Sequence, residues 1–169
     1  SHASIAKWTF ETSPPADVTD SATIGGISAD TGTGTASGVH ASALADWSTP
    51  AGNGSANSLS ANNWAVGDYY QFSFSTLGFQ DIVVSWAQTS SSTGPGEFKL
   101  AYQVNGGGFT DALNYKVLPN QVAAPGLGVW NITTEITGYN YLLDLSAVTA
   151  LDNAVSVDFR LIMTTTADS

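Results

Sequence analysis

The chain has 169 residues, 43% of them hydrophobic, and its 14 acidic residues outnumber four strongly basic ones, which gives a formal net charge of −10. This balance argues against binding to nucleic acids or to anionic lipid surfaces, because contacts with phosphate groups draw on Lys and Arg. The absence of cysteine excludes disulfides, thiolate catalysis and zinc sites built on sulfur, and no apolar run approaches the length of a membrane span.

The N-terminal third is predicted to hold only short strands. Residues 1–4 are interpreted as the remnant of a cleaved tag, and residues 5–169 are expected to form a single domain. Alternation over residues 5–11 predicts a first strand. Gly and Pro then interrupt the pattern up to residue 67, and short strands are expected only near residues 23–28 and 38–44.

The clearest strands are predicted between residues 68 and 104. Three consecutive runs there alternate apolar and polar residues, and the apolar positions are Tyr70, Phe72 and Phe74, then Ile82, Val84 and Trp86, then Phe98, Leu100, Tyr102 and Val104. A period of two gives each strand one apolar face, and turn-forming residues separate the runs. Three strands with one apolar face each require a second layer to cover them.

The C-terminal part is predicted to continue the same pattern. Asn105-Gly106-Gly107 indicates a type I′ hairpin turn, with a return strand from Gly108-Phe109. After a loop over residues 118–128, strands are expected at residues 129–133, 139–145 and 155–162, and Ser146 is expected to cap one helical turn that ends at Leu151. The sequence therefore predicts an all-β antiparallel sandwich of the jelly-roll type, with little or no helix.

Two segments resemble a known kind of domain. Residues 64–110 and 141–163, which include DLSAVTALDN before an FRL strand, resemble a jelly-roll domain of exported bacterial proteins. Examples are PEP-CTERM-type surface proteins and accessory regions of extracellular nucleases and hydrolases, and the architecture is similar to galactose-binding-like carbohydrate-binding modules. The resemblance implies a secreted or cell-surface location within a larger exported protein. Such domains usually carry a further strand after the FRL strand, which pairs near the first strand. This last strand is therefore expected to be missing here or supplied by a partner.

Catalysis is not expected from the residues present. Outside the tag remnant the only histidine is His40, and no G-x-S-x-G nucleophile motif occurs. Paired carboxylates for glycoside hydrolysis are conceivable, but the three glutamates Glu11, Glu97 and Glu135 lie in no recognisable acidic motif.

The aromatic residues indicate a ligand site. Trp47 and Trp64 lie in polar, loop-like surroundings, where an exposed indole offers a flat apolar surface to a sugar ring. The alternative is that both tryptophans cover the ends of the sandwich core. The residues expected to support a sugar around these rings are Asn62, Asn63, Asp68, Tyr69 and His40.

Calcium is the expected cofactor. Acidic loops suit a hard cation, and the resemblance implies a structural calcium near the first strand. The candidates by position are Glu11, Asp17, Asp20 and Asp30. The alternative is that these carboxylates are simply solvated.

The leading functional hypothesis is a non-catalytic, exported module that binds a polysaccharide or another glycan. One alternative is a structural or adhesive surface-protein domain without a small ligand. Another is an accessory domain of an extracellular nuclease or hydrolase. Exposed tryptophans gathered on one face would favour glycan binding, whereas buried loop tryptophans would favour the structural alternative.

Overall fold

The computed structural model describes residues 4–120 and 128–166, and its regular structure is almost entirely β. Within these ranges the strands are β1 (Ala6–Lys7), β2 (Thr23–Ser28), β3 (Thr31–Gly32), β4 (Thr35–Val39), β5 (Trp47–Ser48), β6 (Ser60–Ala61), β7 (Tyr69–Phe74), β8 (Val83–Ala87), β9 (Pro95–Val104), β10 (Thr110–Lys116), β11 (Asn140–Asp144) and β12 (Val157–Thr166). Two 3₁₀ helices of one turn each lie at Thr137–Tyr139 and Thr149–Leu151. No helix in these ranges is long enough to cross a membrane. The all-β prediction is confirmed.

Six strands form one antiparallel sheet in the order β10-β9-β12-β7-β4-β2. The predicted last strand, β12, lies in its centre, where Phe159 is opposite Phe72 on β7 and Tyr102 on β9. Three two-stranded sheets, β1–β3, β5–β6 and β8–β11, supply the covering elements. The predicted central strands are therefore divided, because β7 and β9 belong to the large sheet and β8 does not.

The core consists of two clusters. The larger cluster lies over β9 and β12, where Leu100 and Val157 are fully buried. The smaller one lies over β2 and β4 and is centred on Trp47. Tyr70 and Phe72, both on β7, are half-buried and pack against both clusters. The strand β7 therefore lies at the boundary between the two core clusters.

The hairpin between β9 and β10 has the predicted turn. Asn105 and Gly106 have φ angles of 49° and 73°, and the Gly107 N–H donates to the Val104 carbonyl over 3.0 Å. Positive φ at both central positions is what a type I′ turn requires. The return strand begins at Thr110, two residues later than predicted.

The predicted first strand, residues 5–11, is shortened to Ala6–Lys7. The carboxylate of Asp30 accepts hydrogen bonds from the backbone N–H groups of Thr9, Phe10 and Thr12. Phe10 has a φ angle of 62°, which is outside the β region. A side-chain acceptor thus bends this segment away from extended structure.

Two other predictions in the C-terminal part are wrong. Residues 129–133 form no strand, because the Asn131 side-chain oxygen accepts the N–H groups of Thr133 and Thr134 and holds a turn. Ser146 does not cap the helical turn, which begins at Thr149 without a side-chain cap. The strand predicted at residues 38–44 is β4, which ends at Val39, and the predicted loop at residues 118–128 lies partly outside the described residues.

Candidate functional site

The structure separates the residues that were predicted to form one ligand site. Trp47, His40 and Asp68 are buried, and Trp64 is half-buried. Asn62 and Asn63 are exposed. Tyr69 lies on the opposite face of the large sheet, because the alternate residues Tyr70 and Phe72 pack into the core.

Trp47 presents no ring face to a ligand. It is only 1% exposed, and its indole N–H donates to the Ser21 carbonyl over 2.8 Å. Its ring lies so close to Gly38 that a Cβ atom there would be 2.4 Å away. The expectation of an exposed Trp47 is therefore wrong, and the alternative of core packing describes this residue.

Trp64 is mainly a packing residue as well. Its ring centroid lies 4.2 Å from that of His40, 5.0 Å from that of Tyr70 and 5.5 Å from that of Phe98. Its indole N–H donates to the Ala61 carbonyl over 2.9 Å. These contacts occupy most of the ring surface that a sugar would need.

His40 and Asp68 are placed to hold loops together. The Asp68 carboxylate accepts the N–H of Ala41 over 2.8 Å and that of Ala65 over 2.7 Å, and it lies 3.6 Å from the His40 ring. His40 is 3% and Asp68 4% exposed. Their burial contradicts the expectation that they contact a ligand. Burial lowers the pKa of His40, and the Asp68 carboxylate opposes this shift only in part.

The two asparagines also have structural partners. The side chain of Asn62 accepts the N–H of Asp46 over 2.7 Å, and that of Asn63 donates to the Leu44 carbonyl over 2.7 Å. Asn63 has a φ angle of 53°, which suits asparagine in a turn. Both residues are exposed, but these hydrogen bonds tie their side chains to the segment of residues 44–46.

The four acidic residues predicted for calcium have separate surroundings. Glu11 accepts two hydrogen bonds from Asn57. The Asp30 carboxylate instead accepts hydrogen bonds from the backbone N–H groups of the segment after β1. The backbone N–H of Asp20 donates to Asp46. No group of three or more His, Asp or Glu residues within 4–120 and 128–166 is arranged to hold a metal ion. Calcium binding, by Asp17 or any of the other three, stays a prediction.

The outer face of the large sheet carries a cluster of aromatic and polar groups that the sequence indicated only through Tyr69. The guanidinium carbon of Arg160 lies 4.0 Å from the ring centroids of both Tyr69 and Phe109. Its Nε–H donates to the Gln71 side-chain oxygen over 2.7 Å. The only arginine of the chain is thus held in one orientation between two rings.

Strand register explains why Arg160 has room on this face. Phe159 and Leu161 point into the core, so Arg160 between them points outward. Its neighbours across the two adjacent strands are Gln71 and the small residue Ala101. Alternation alone predicts the outward orientation, but it does not predict which strands flank β12.

We call this surface the sheet platform and define it as Tyr69, Gln71, Gln103, Phe109, Asp158 and Arg160. Gln103 and Asp158 are opposite each other on β9 and β12. The six side chains are all partly exposed, and five of them come from the adjacent strands β7, β9 and β12, whereas Phe109 lies just before β10. The platform is therefore fixed by the most central pairing of the fold.

A second feature is a large cleft between the covering elements, here called the interlayer cleft. Its volume is about 1690 Å³, and residues 4–10, 58–64 and 80–91 are among those that line it. Phe72 and Phe74, on the inner face of β7, form part of its floor. The cleft lies on the opposite face of the sheet from the platform.

No family model, no curated protein and no solved structure matches the chain.

Proposed function

We propose that the protein is a non-catalytic carbohydrate-binding module whose glycan site is the sheet platform. The observation that carries this proposal is the fixed position of Arg160 between Tyr69 and Phe109. A sugar has apolar C–H faces as well as hydroxyl groups, so its binding site needs flat apolar surface beside oriented hydrogen-bonding groups. The platform combines both.

The rigidity of the platform supports the proposal. Arg160 is restrained by two rings and by Gln71, so little side-chain entropy remains to be lost when a ligand binds. Groups held on adjacent strands keep their spacing better than groups on loops. A shallow site of this kind suits weak binding of an extended glycan.

The charge of the platform supports an uncharged ligand. Arg160 and Asp158 lie two residues apart on the same face of β12, so the platform itself is close to neutral. The chain as a whole carries a formal charge of −10, which disfavours polyanions. Neutral polysaccharides are therefore the ligand class that we propose.

The structural or adhesive alternative has one observation in its favour. Trp47 is buried, and Trp8, Trp64, Trp86 and Trp130 are each only partly exposed, so no tryptophan forms an open platform. A domain whose aromatic residues serve mainly for packing needs no small ligand. An accessory role beside an extracellular nuclease or hydrolase is compatible with both glycan binding and a structural role.

The test is affinity electrophoresis of the folded protein in gels that contain neutral polysaccharides such as xylan, glucomannan, galactan or β-glucan. Tyr69→Ala and Arg160→Lys are the test variants. Loss of one aromatic contact of about 1–1.5 kcal/mol corresponds to roughly tenfold weaker binding. Arg160→Lys keeps the charge but loses the planar group.

Thr35→Ala is the matched control, because Thr35 is exposed on β4 in the same sheet but outside the platform. Retardation that both test variants lose and the control keeps supports the proposal. If the wild-type protein migrates unretarded in every gel, or if the platform variants bind as the wild type does, the proposal is wrong.

A further inference from the structure

The strand β8 has one free edge. It pairs with β11 on one side, and within the described residues no strand pairs with its other side. The Leu145 N–H donates to the Ile82 carbonyl, and the Gln88 N–H donates to the Tyr139 carbonyl. Because hydrogen-bonded and non-hydrogen-bonded pairs alternate in an antiparallel ladder, the backbone groups of Val83, Ser85 and Ala87 point away from β11.

The apolar interior beside this edge is incompletely covered. Phe98 and Leu100, under the β8–β11 sheet, are at most 2% exposed. Phe72 and Phe74 on β7 are only half-buried although they also point inward, and both line the interlayer cleft. In a complete sandwich, inward-facing residues of a central strand are buried between two sheets.

The cleft is a large space with few charged residues in its lining. Of the residues that line it, only Lys7, Asp81 and Glu135 carry a charge. Its volume of about 1690 Å³ exceeds the range of roughly 300–1,000 Å³ that is usual for small-molecule pockets. Trp8 and Trp86 are among the apolar residues that line it.

We propose that the interlayer cleft receives an extended polypeptide strand from a partner, which pairs with the free edge of β8. An extended backbone placed beside β8 can form hydrogen bonds with each of the N–H and C=O groups that point outward at alternate residues. Alternate side chains of such a strand would point to the floor at Phe72 and Phe74, so the partner strand has apolar residues at every second position. The incoming strand thereby completes the covering layer over β7.

This proposal is independent of the glycan site, which lies on the other face of the large sheet. It concerns a protein partner, and its failure would leave the sheet platform untouched. Conversely, a protein without glycan affinity can still accept a strand in the cleft.

The probe is a nine-residue peptide in which threonine and valine alternate between terminal lysines. Its control is the same peptide with every threonine and valine amide N-methylated, which keeps charge and side chains but removes the backbone donors. Binding is followed by tryptophan fluorescence, because Trp8 and Trp86 line the cleft. Amide exchange by NMR then shows which backbone groups become protected.

We expect saturable binding of the unmodified peptide only. The amides of Val83, Ser85 and Ala87 should exchange at least about tenfold more slowly in the complex, since their donors become paired. Ser85→Pro removes the central outward donor and should weaken binding by about tenfold, whereas Ser85→Ala should bind as the wild type does. Circular dichroism checks that Ser85→Pro is folded. Comparison of the unmodified and N-methylated peptides tests the same backbone pairing on the wild-type protein.

Further outcomes of the same experiments would overturn the proposal. If the protein forms a dimer with these same amides protected, a second copy of the chain fills the edge, and the proposal of a separate protein partner is wrong. If the three amides are already protected in the monomer, the edge is filled within the chain and the proposal is wrong. Equal binding of both peptides, or no binding of either, also overturns it.

Discussion

The ring nitrogen Nδ1 of His40 lies 3.6 Å from Oδ2 of Asp68, and both side chains are almost completely buried. The His40 ring also packs against Trp47 and Trp64, with centroid distances of 4.6 and 4.2 Å. Neither ring nitrogen of His40 has a hydrogen-bond partner of good geometry among the described residues. A neutral histidine is therefore enclosed beside a carboxylate, which links the stability of the protein to pH.

Stability should fall as the pH drops below about 6.5. Burial lowers the pKa of His40 in the folded protein, whereas the unfolded chain keeps a value near 6.5. The unfolded state then binds more protons in this range, so acid favours unfolding. Thermal unfolding of the wild type and of His40→Gln between pH 7.5 and 5 measures the effect. A melting temperature that varies with pH equally in both proteins would contradict this assignment.

Asp68 should contribute through hydrogen bonds rather than through ligand binding. Asp68→Ala removes the acceptors for the N–H groups of Ala41 and Ala65 and should reduce the free energy of unfolding by about 3 kcal/mol. Asp68→Asn keeps one carbonyl oxygen and should lose about half as much. Urea unfolding at pH 7 compares the three proteins. An Asp68→Ala variant as stable as the wild type would show that these bonds are not needed.

Trp64→Ala should destabilise the fold without changing glycan affinity. The ring packs against His40, Tyr70 and Phe98, and its removal leaves a cavity that costs about 3 kcal/mol. Trp64→Phe should lose less, because it keeps an aromatic ring. Denaturant unfolding and affinity electrophoresis are compared on the same samples. If folded Trp64→Phe loses glycan binding, the ligand site belongs at Trp64 and not on the sheet platform.

Asp30 should stabilise the segment after β1 in a pH-dependent way. Burial alone raises the pKa of Asp30, but hydrogen bonds from Thr12 and Thr9 outweigh it and hold the pKa well below its usual range. This contribution is complete above the unfolded value of about 3.9 and is lost as the pH falls further. Asp30→Asn should cost about 2 kcal/mol at pH 7 and less at pH 3.

Asp17→Asn is the control for the Asp30 experiment, because Asp17 is exposed. Its unfolding free energy should stay within about 0.5 kcal/mol of the wild type. Urea unfolding at both pH values measures the difference. An equal loss for Asp30→Asn at pH 7 and pH 3 would show that the negative charge of Asp30 has no part in the stabilisation.

Gly38 should tolerate no side chain. A Cβ atom at this position would lie 2.4 and 2.5 Å from two atoms of the buried Trp47 ring, so Gly38→Ala should cost about 3 kcal/mol through overpacking. Gly25→Ala, on the adjacent strand, meets its nearest atom at 3.9 Å and should be neutral or stabilising by about 0.5 kcal/mol. Equal stability of the two variants would contradict the packing of Trp47.

The sequence predicted local strand structure well where alternation was strong. It located β7, β8, β9 and β12 to within a few residues, together with the turn at Asn105-Gly106. It failed where a side chain competes for backbone donors, as Asp30 does after β1 and Asn131 does at residues 131–134. Such competition depends on one acceptor in one position, and hydrophobic periodicity does not record it.

The candidate site was harder to predict than the strands. Tyr69 was placed correctly on the face opposite Tyr70, but its partners Arg160 and Phe109 come from segments far away in the chain. Trp47 was expected at the surface because its neighbours are polar, yet it fills the space above Gly38. Exposure of a loop residue is set by distant residues that pack on it.

The alternation of apolar and polar residues is enough to predict an all-β chain, since a period of two requires only local information about which residues are apolar. The same alternation does not predict that β12 lies in the centre of the large sheet, that β8 belongs to a different sheet, or that Arg160 is held between two aromatic rings. The physical reason is that strand pairing and layer assignment are made by contacts between residues remote in sequence. Alternation shows that each strand has an apolar face, but not which strand or layer will cover it.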